Sequence, residues 1–257
     1  MQLCLTLTGK MRPYINLKLE VNMIRCVYCL QEFEKLTNDH VIPRSWYPET
    51  TPEGMEKFQV PACNGCNNHF SSIESKLLTV FAYCLSPATE EAAGVSVPVM
   101  RSMKPGLAST EKERVHRTKK LENFIKHMEI SSKVAISQET IYPGFGTPNN
   151  AVYDRYKRPL LMEKNMLEEF ICKIVKGLTY RLNQTYIETT HQITIFPPDD
   201  NIKSIFDPIL EHYGNRFNRG PGLSIFRALP AEDPMSSIWK IVLWGKFVTY
   251  ATVDPVE

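Results

Sequence analysis

Residues 61–70 read PACNGCNNHF, and a second pair of cysteines at the same spacing, RCVYC, occupies 25–29. Each CxxC turn presents two thiolates on one side of a tight loop. Two such turns supply the four sulfur ligands of a tetrahedral structural zinc site. Cys26, Cys29, Cys63 and Cys66, with 33 residues between the pairs, are therefore predicted to hold one Zn²⁺. The chain has seven cysteines in 257 residues. An odd number, without a basic lead and cleavage site in the opening MQLCLTLTGK, argues against a disulfide framework and for a cytoplasmic protein. Cys84 and Cys172 lie in apolar, helix-like runs and read as small buried hydrophobes.

Between the two pairs stands NDHVIPRSW, residues 38–46. A carboxylate such as Asp39 can hold a hard divalent cation, and an imidazole such as His40, with an ordinary pKa of about 6.5, can take a proton from water. An isolated Asp-His pair is more often a plain surface turn. Asn67 changes the weighing: it follows Cys66 directly, so a zinc ion would fix its amide at the first turn of a helix, where its oxygen could complete a metal site.

The order CVYC, DHVIPRS, ACNGCNNHF resembles the HNH family of ββα-metal endonucleases, in the four-cysteine zinc-knuckle subgroup similar to phage endonuclease VII. The likeness covers residues 23–85. It implies a treble-clef-like ββα module, with Cys26, Cys29, Cys63 and Cys66 on structural zinc. It further implies Asp39 and Asn67 on a catalytic Mg²⁺ or Mn²⁺, and His40 as general base. His69 is an additional candidate ligand or phosphate contact. Many members carry an Asn several residues before the second CxxC to support the base. Here that stretch reads KFQVPAC, and the nearest amide is Gln59. The implied activity is hydrolysis of nucleic-acid phosphodiesters, DNA first. Two alternatives stay open: a non-catalytic zinc module that binds nucleic acid or protein, and a nuclease effector of a restriction or antiphage system.

Composition is that of an ordinary globular chain, 43% hydrophobic and 23% charged, with a formal net charge of +2. No run of about 18 apolar residues marks a membrane span. Residues 1–85 carry eight Lys/Arg against eight Asp/Glu, so phosphate affinity must come from elsewhere. Residues 101–133 carry nine Lys/Arg against four Glu. Phosphate contacts are accordingly expected from Arg114, Arg117, Lys119 and Lys120, together with Arg44 beside the Asp-His pair. A solvated helix face explains the same charges equally well. Arg155, Lys157 and Arg158, in YDRYKRP, form a second basic cluster with two tyrosines that could stack on bases or simply pack.

The expected fold class is α+β: an N-terminal ββα-metal zinc module, then an α+β domain with an antiparallel sheet. The expected units are an extension at 1–22, the zinc module at 23–86, a linker and basic helix at 87–159, and a C-terminal domain of unassigned role, through which a homodimer or partner could form, at 160–257. Periodicity predicts a helix from Cys66 to before Pro87 and a second from the Thr110/Glu113 capping box to about Met128. Residues 43–62 and 143–150 read as loops. The stripe Leu167, Phe170, Ile171, Ile174, Val175, Leu178 predicts a buried helix face. Beyond it come a strand at His191–Phe196, a helix at Ile202–Tyr213, a strand at Leu223–Leu229 and a hairpin turning at Gly245.

Overall fold

A computed structural model describes residues 23–133, 164–230 and 232–256. The expected extension at 1–22, the loop at 143–150 and the basic cluster Arg155, Lys157 and Arg158 lie outside them. Two short strands, β1 (Ile24–Arg25) and β2 (Glu32–Phe33), flank the first CxxC turn and pair antiparallel. The turn closes because Leu30 takes a left-handed φ of 63°, which lets its N–H reach the Cys26 carbonyl while the Cys26 N–H reaches Gln31. Next come β3 (Thr37–His40) and β4 (Gln59–Ala62), antiparallel, with Asp39 opposite Val60 and His40 opposite Gln59.

The strand β4 corrects the expectation of a loop through residue 62. Prolines and glutamates hide its alternation, yet Phe58, Val60 and Ala62 are all buried. Pro61, which has no N–H to give, sits in the pair while its carbonyl accepts from Val27.

Only Cys63 separates β4 from α1 (Asn64–Cys84), and its Sγ caps the helix by accepting the Cys66 N–H. Ile73, Leu77, Leu78 and Phe81 form the buried face of α1. The supposed linker contains a helix, α2 (Ser96–Ser102), that buries Val99. The basic helix α3 (Glu111–Lys133) runs past Met128. At its start Thr110 Oγ1 accepts the Glu113 N–H, but the Glu113 carboxylate returns to Ser109 rather than to Thr110, shifting the expected capping box by one residue.

The long apolar stripe forms α4 (Lys164–Asn183), which packs on α1, β4 and β5 (His191–Phe196). Then follow α5 (Asp200–Tyr213), β6 (Asn215–Asn218), β7 (Leu223–Ala228), β8 (Ser237–Leu243) and β9 (Phe247–Pro255). The sheet is antiparallel in the order β5-β9-β8-β7-β6. The edge strand β6 was not legible because its residues, Asn-Arg-Phe-Asn, carry no apolar alternation. One sheet face, with Ile225, Trp239, Ile241 and Val253, joins the core that α4 and α1 complete. The other face is covered by α5 through Leu210, Ala228 and Tyr250. The class is thus α+β, with mixed helices and antiparallel sheets. Among the described residues no helix is long and apolar enough to cross a membrane.

Candidate functional site

The four paired cysteines converge. Their sulfurs all lie within 4.8 Å of one another, and Cys29 Sγ and Cys63 Sγ are 3.9 Å apart. A tetrahedron with metal–sulfur bonds of about 2.3 Å has sulfur–sulfur edges of about 3.8 Å, so this group has the dimensions and the donors to hold a zinc ion. At Cys26 the backbone is arranged for thiolate charge. Burial works against the Cys26 thiolate, but N–H groups of Cys29, Cys63 and Tyr28 outweigh it and hold its pKa below the ordinary value. The Cys63 N–H bond to Cys26 Sγ, 3.3 Å long, ties one turn to the other.

Next to this cluster the strand β3 carries Asp39 and His40 on opposite faces. His40 points to the more open side, where cross-strand register sets its Nε2 2.9 Å from the Gln59 amide nitrogen. Burial, then the charge of exposed Arg44, holds the His40 imidazole below its ordinary pKa, against the pull of Asp39. Both effects favour the neutral ring over the imidazolium.

Asp39 points inward and is only 7% exposed. Its Oδ2 accepts the Tyr28 hydroxyl at 2.7 Å and pairs with the ammonium of Lys173, on α4, at 2.8 Å. Lys173 is fully buried. Its Nζ also bonds the Glu74 carboxylate on α1 and the His40 carbonyl, the latter at 2.8 Å, and lies above the rings of Tyr28 and Phe70. Burial pushes Glu74 up to about 7, although Lys173 draws it down. Burial, then the Asp39 charge, raises Tyr28. Gly177, one turn beyond Lys173, makes this approach feasible: a Cβ there would lie 2.8 Å from a methyl of buried Val41.

Asn67 stands in the first turn of α1, and its amide nitrogen donates to Thr37 Oγ1 at 3.0 Å. Thr37 and Asp39 share a face of β3, so the structure brings the carboxylate and the amide to one side of the strand. Both groups offer the hard oxygens that Mg²⁺ or Mn²⁺ takes. As arranged they nevertheless do not fit a divalent ion, because the Asp39 charge is already matched by the Lys173 ammonium. His69 is not drawn to this point: its Nε2 pairs with Glu169 of α4 at 2.6 Å.

The basic residues of α3 divide. Arg114 pairs with Glu111. Arg117 pairs with Glu113 and bonds the carbonyls of Arg101 and Lys104. Lys120 reaches Ser102 Oγ on α2, and burial lowers its pKa. Lys119 stays exposed.

Tyr28, Glu74 and Lys173 were missed by reasoning on sequence. The single signal was a lysine on the flank of the α4 stripe, and such a lysine ordinarily carries its charge out to water. Compared with family models, with curated proteins and with solved structures, the chain finds no match in any of the three, and its functional reading rests on its own residues.

Proposed function

We propose that the chain is an HNH-type, metal-dependent endonuclease that hydrolyses nucleic-acid phosphodiester bonds, with DNA the first substrate to test. The observation that carries this reading is the joint placement of the four-cysteine cluster at the start of α1 and of His40 on the adjacent strand pair, backed by Gln59. Zn²⁺ on Cys26, Cys29, Cys63 and Cys66 would hold β4 and α1 in register and thereby set the distance between Asn67 and the Asp39–His40 pair. His40 is the proton acceptor for the attacking water. With the Gln59 amide turned so that its oxygen takes the Nε2–H, the Nδ1 lone pair is free for that water. Arg44, exposed beside His40, meets the scissile phosphate. The divalent Mg²⁺ or Mn²⁺ implied by the resemblance is a requirement of this proposal.

The test is cleavage of supercoiled plasmid, linear duplex, single strands and RNA by zinc-loaded protein, with Mg²⁺ or Mn²⁺ and with EDTA. Cleavage is expected with metal and not with EDTA. His40→Ala should lower the rate by about 10²- to 10⁴-fold while leaving fold and zinc content unchanged. Wild-type rates in that variant would remove the assignment.

One observation favours a second reading, a non-catalytic zinc module that binds nucleic acid or protein: the full pairing of buried Asp39 with Lys173 and Tyr28. That reading forecasts nucleic-acid retention without cleavage in any metal, and a stability loss, rather than an activity loss, on changing Asp39.

A further inference from the structure

The basic helix α3 spends much of its charge within the protein, since Arg114 and Arg117 meet glutamates and Lys120 meets Ser102. A different set of cations gathers at the end of the β3–β4 pair that carries His40. Arg44 and Lys57 both lie close enough for their charges to act on the His40 imidazole. Lys57 Nζ stands 5.2 Å from the centre of the Tyr47 ring. A third cation, Arg219, acts on Tyr47 from the turn between β6 and β7. Its guanidinium lies 4.0 Å from the centre of the Phe58 ring, the next residue after Lys57. Arg181 of α4 reaches the same ring at 5.5 Å but is paired with Glu56.

The β6–β7 turn is set close against this surface. A Cβ at Gly222 would lie 2.6 Å from Pro48 and 2.8 Å from the Glu91 carbonyl oxygen, so glycine is what allows the approach. Within the turn, the Arg219 N–H donates to the Leu223 carbonyl at 2.9 Å. Among the described residues, Arg44, Lys57 and Arg219 have no carboxylate partner. Lys57 and Arg219 are held by ring faces instead, and a ring face orients a cation without cancelling its charge. The Arg219 Nε is out of water and has no hydrogen-bond partner. Uncancelled positive charges gathered on one surface repel one another, and an anion relieves that cost.

We propose that Arg44, Lys57 and Arg219 form one cationic track for the phosphodiester backbone of nucleic acid, leading from His40 past Tyr47 to the β6–β7 turn. The C-terminal segment thereby supplies part of the substrate surface, from outside the stretch that carries the HNH-like motif. The inference rests on the proposed nuclease reading only for the position of the cleaved bond at His40, and its test reads binding rather than cleavage.

The measurement is fluorescence anisotropy of a short labelled duplex, and of its single strand, titrated with the zinc-loaded full chain. Salt is varied, and Mg²⁺ and Mn²⁺ are left out. Lys57→Gln and Arg219→Gln should each weaken binding and reduce the slope of log K against log salt by about one. Arg219→Lys keeps the charge but loses the flat stack on Phe58, and it should keep the slope. A drop there as large as in Arg219→Gln would make Arg219 structural and overturn the proposal. An unchanged slope in a folded Lys57→Gln also overturns it, which decides the matter even if Arg219→Gln does not fold. So does a wild-type chain that binds neither probe. Displacement of the duplex by polyglutamate at equal charge concentration would assign the surface to an acidic protein and overturn it as well. The forecast slope changes in a chain that cuts no substrate would sink the nuclease reading and leave the track intact. Metal-dependent cleavage by a chain whose two variants bind with the wild-type slope would do the reverse.

Discussion

Gly177 shows how one missing methyl group positions a charge. A helix interior ordinarily gains about 1 kcal/mol when Gly becomes Ala. At an open position Gly177→Ala would therefore stabilise the protein. Here the new Cβ would meet Val41 methyls at 2.8 and 3.0 Å, and Val41 is fully buried and β-branched, so it cannot swing aside. Overpacking of this kind costs about 1–3 kcal/mol, so a net loss is expected. Thermal unfolding should show a lower midpoint for Gly177→Ala than for wild type; a rise would mean that α4 has slack over β3. The same step would carry Lys173 away from Asp39 and from the His40 carbonyl. Removing the ammonium outright leaves a buried carboxylate without its partner, a change that commonly costs about 3–5 kcal/mol. For that reason Glu74→Gln, which removes a partner of the cation and adds no unpaired charge, is the cleaner probe of the cluster.

At the scale of elements, α3 carries seven Lys/Arg against four Glu, and its residues have different duties. Lys120 is half-buried and bonded to Ser102, whereas Lys119 is exposed. Lys119→Glu should leave stability within about 0.5 kcal/mol of wild type. If the helix meets phosphate, this substitution should also weaken nucleic-acid binding and reduce its salt slope. Lys120→Glu should lower stability whether or not nucleic acid binds, measured by hydrogen exchange along α2 and α3. Joint reversal of both lysines would mix the two effects. The start of α3 also responds to pH. Glu113 is held down to about 2 by the Ser109 N–H, then by Arg117 and the Ser109 hydroxyl. Its contribution is therefore complete above the ordinary carboxylate pKa of about 4.5. It is lost as pH falls from there through about 2, where the protection of the first α3 amides should decay.

Legibility follows the same division. The helix faces of α1 and α4 and the strands β5, β7, β8 and β9 stood out because one-sided burial imposes a period on the sequence. The strand β4 did not, because Pro61 and its glutamate-rich approach mask three buried residues, and β6 did not, because an edge strand needs no apolar face. The cysteine cluster was readable from spacing, since a metal fixes ligand types. The Gln59–His40 contact depends on strand register, and the Lys173 bridge on how close α4 comes to β3. No local pattern encodes either.

Across the whole molecule, the zinc-module segment and the C-terminal segment share one apolar core. Trp46, from the turn after β3, packs against Phe81 of α1, Phe170 of α4 and Trp244 of the β8–β9 turn. The Trp244 indole N–H donates to the Trp46 carbonyl at 2.9 Å, and the same residue holds a left-handed φ of 54°. For a bulky side chain that conformation costs about 1–3 kcal/mol and persists only where the surroundings enforce it. Arg25 of β1 adds a two-pronged pair with Glu188, after α4. Of the four clustered cysteines, Cys26 and Cys63 are themselves members of the buried core. Metal bound there would contribute directly to the folding free energy of everything packed around it. Urea unfolding followed by tryptophan fluorescence and by far-ultraviolet circular dichroism should therefore give coincident transitions, because indoles from both segments sit in the same core. Chelation of zinc, or Cys63→Ser, should move that one transition to lower urea without splitting it. Two separated transitions, with only the earlier one sensitive to chelator, would mean that the zinc segment folds as its own unit. Lys173 would then reach Asp39 across a boundary that opens independently.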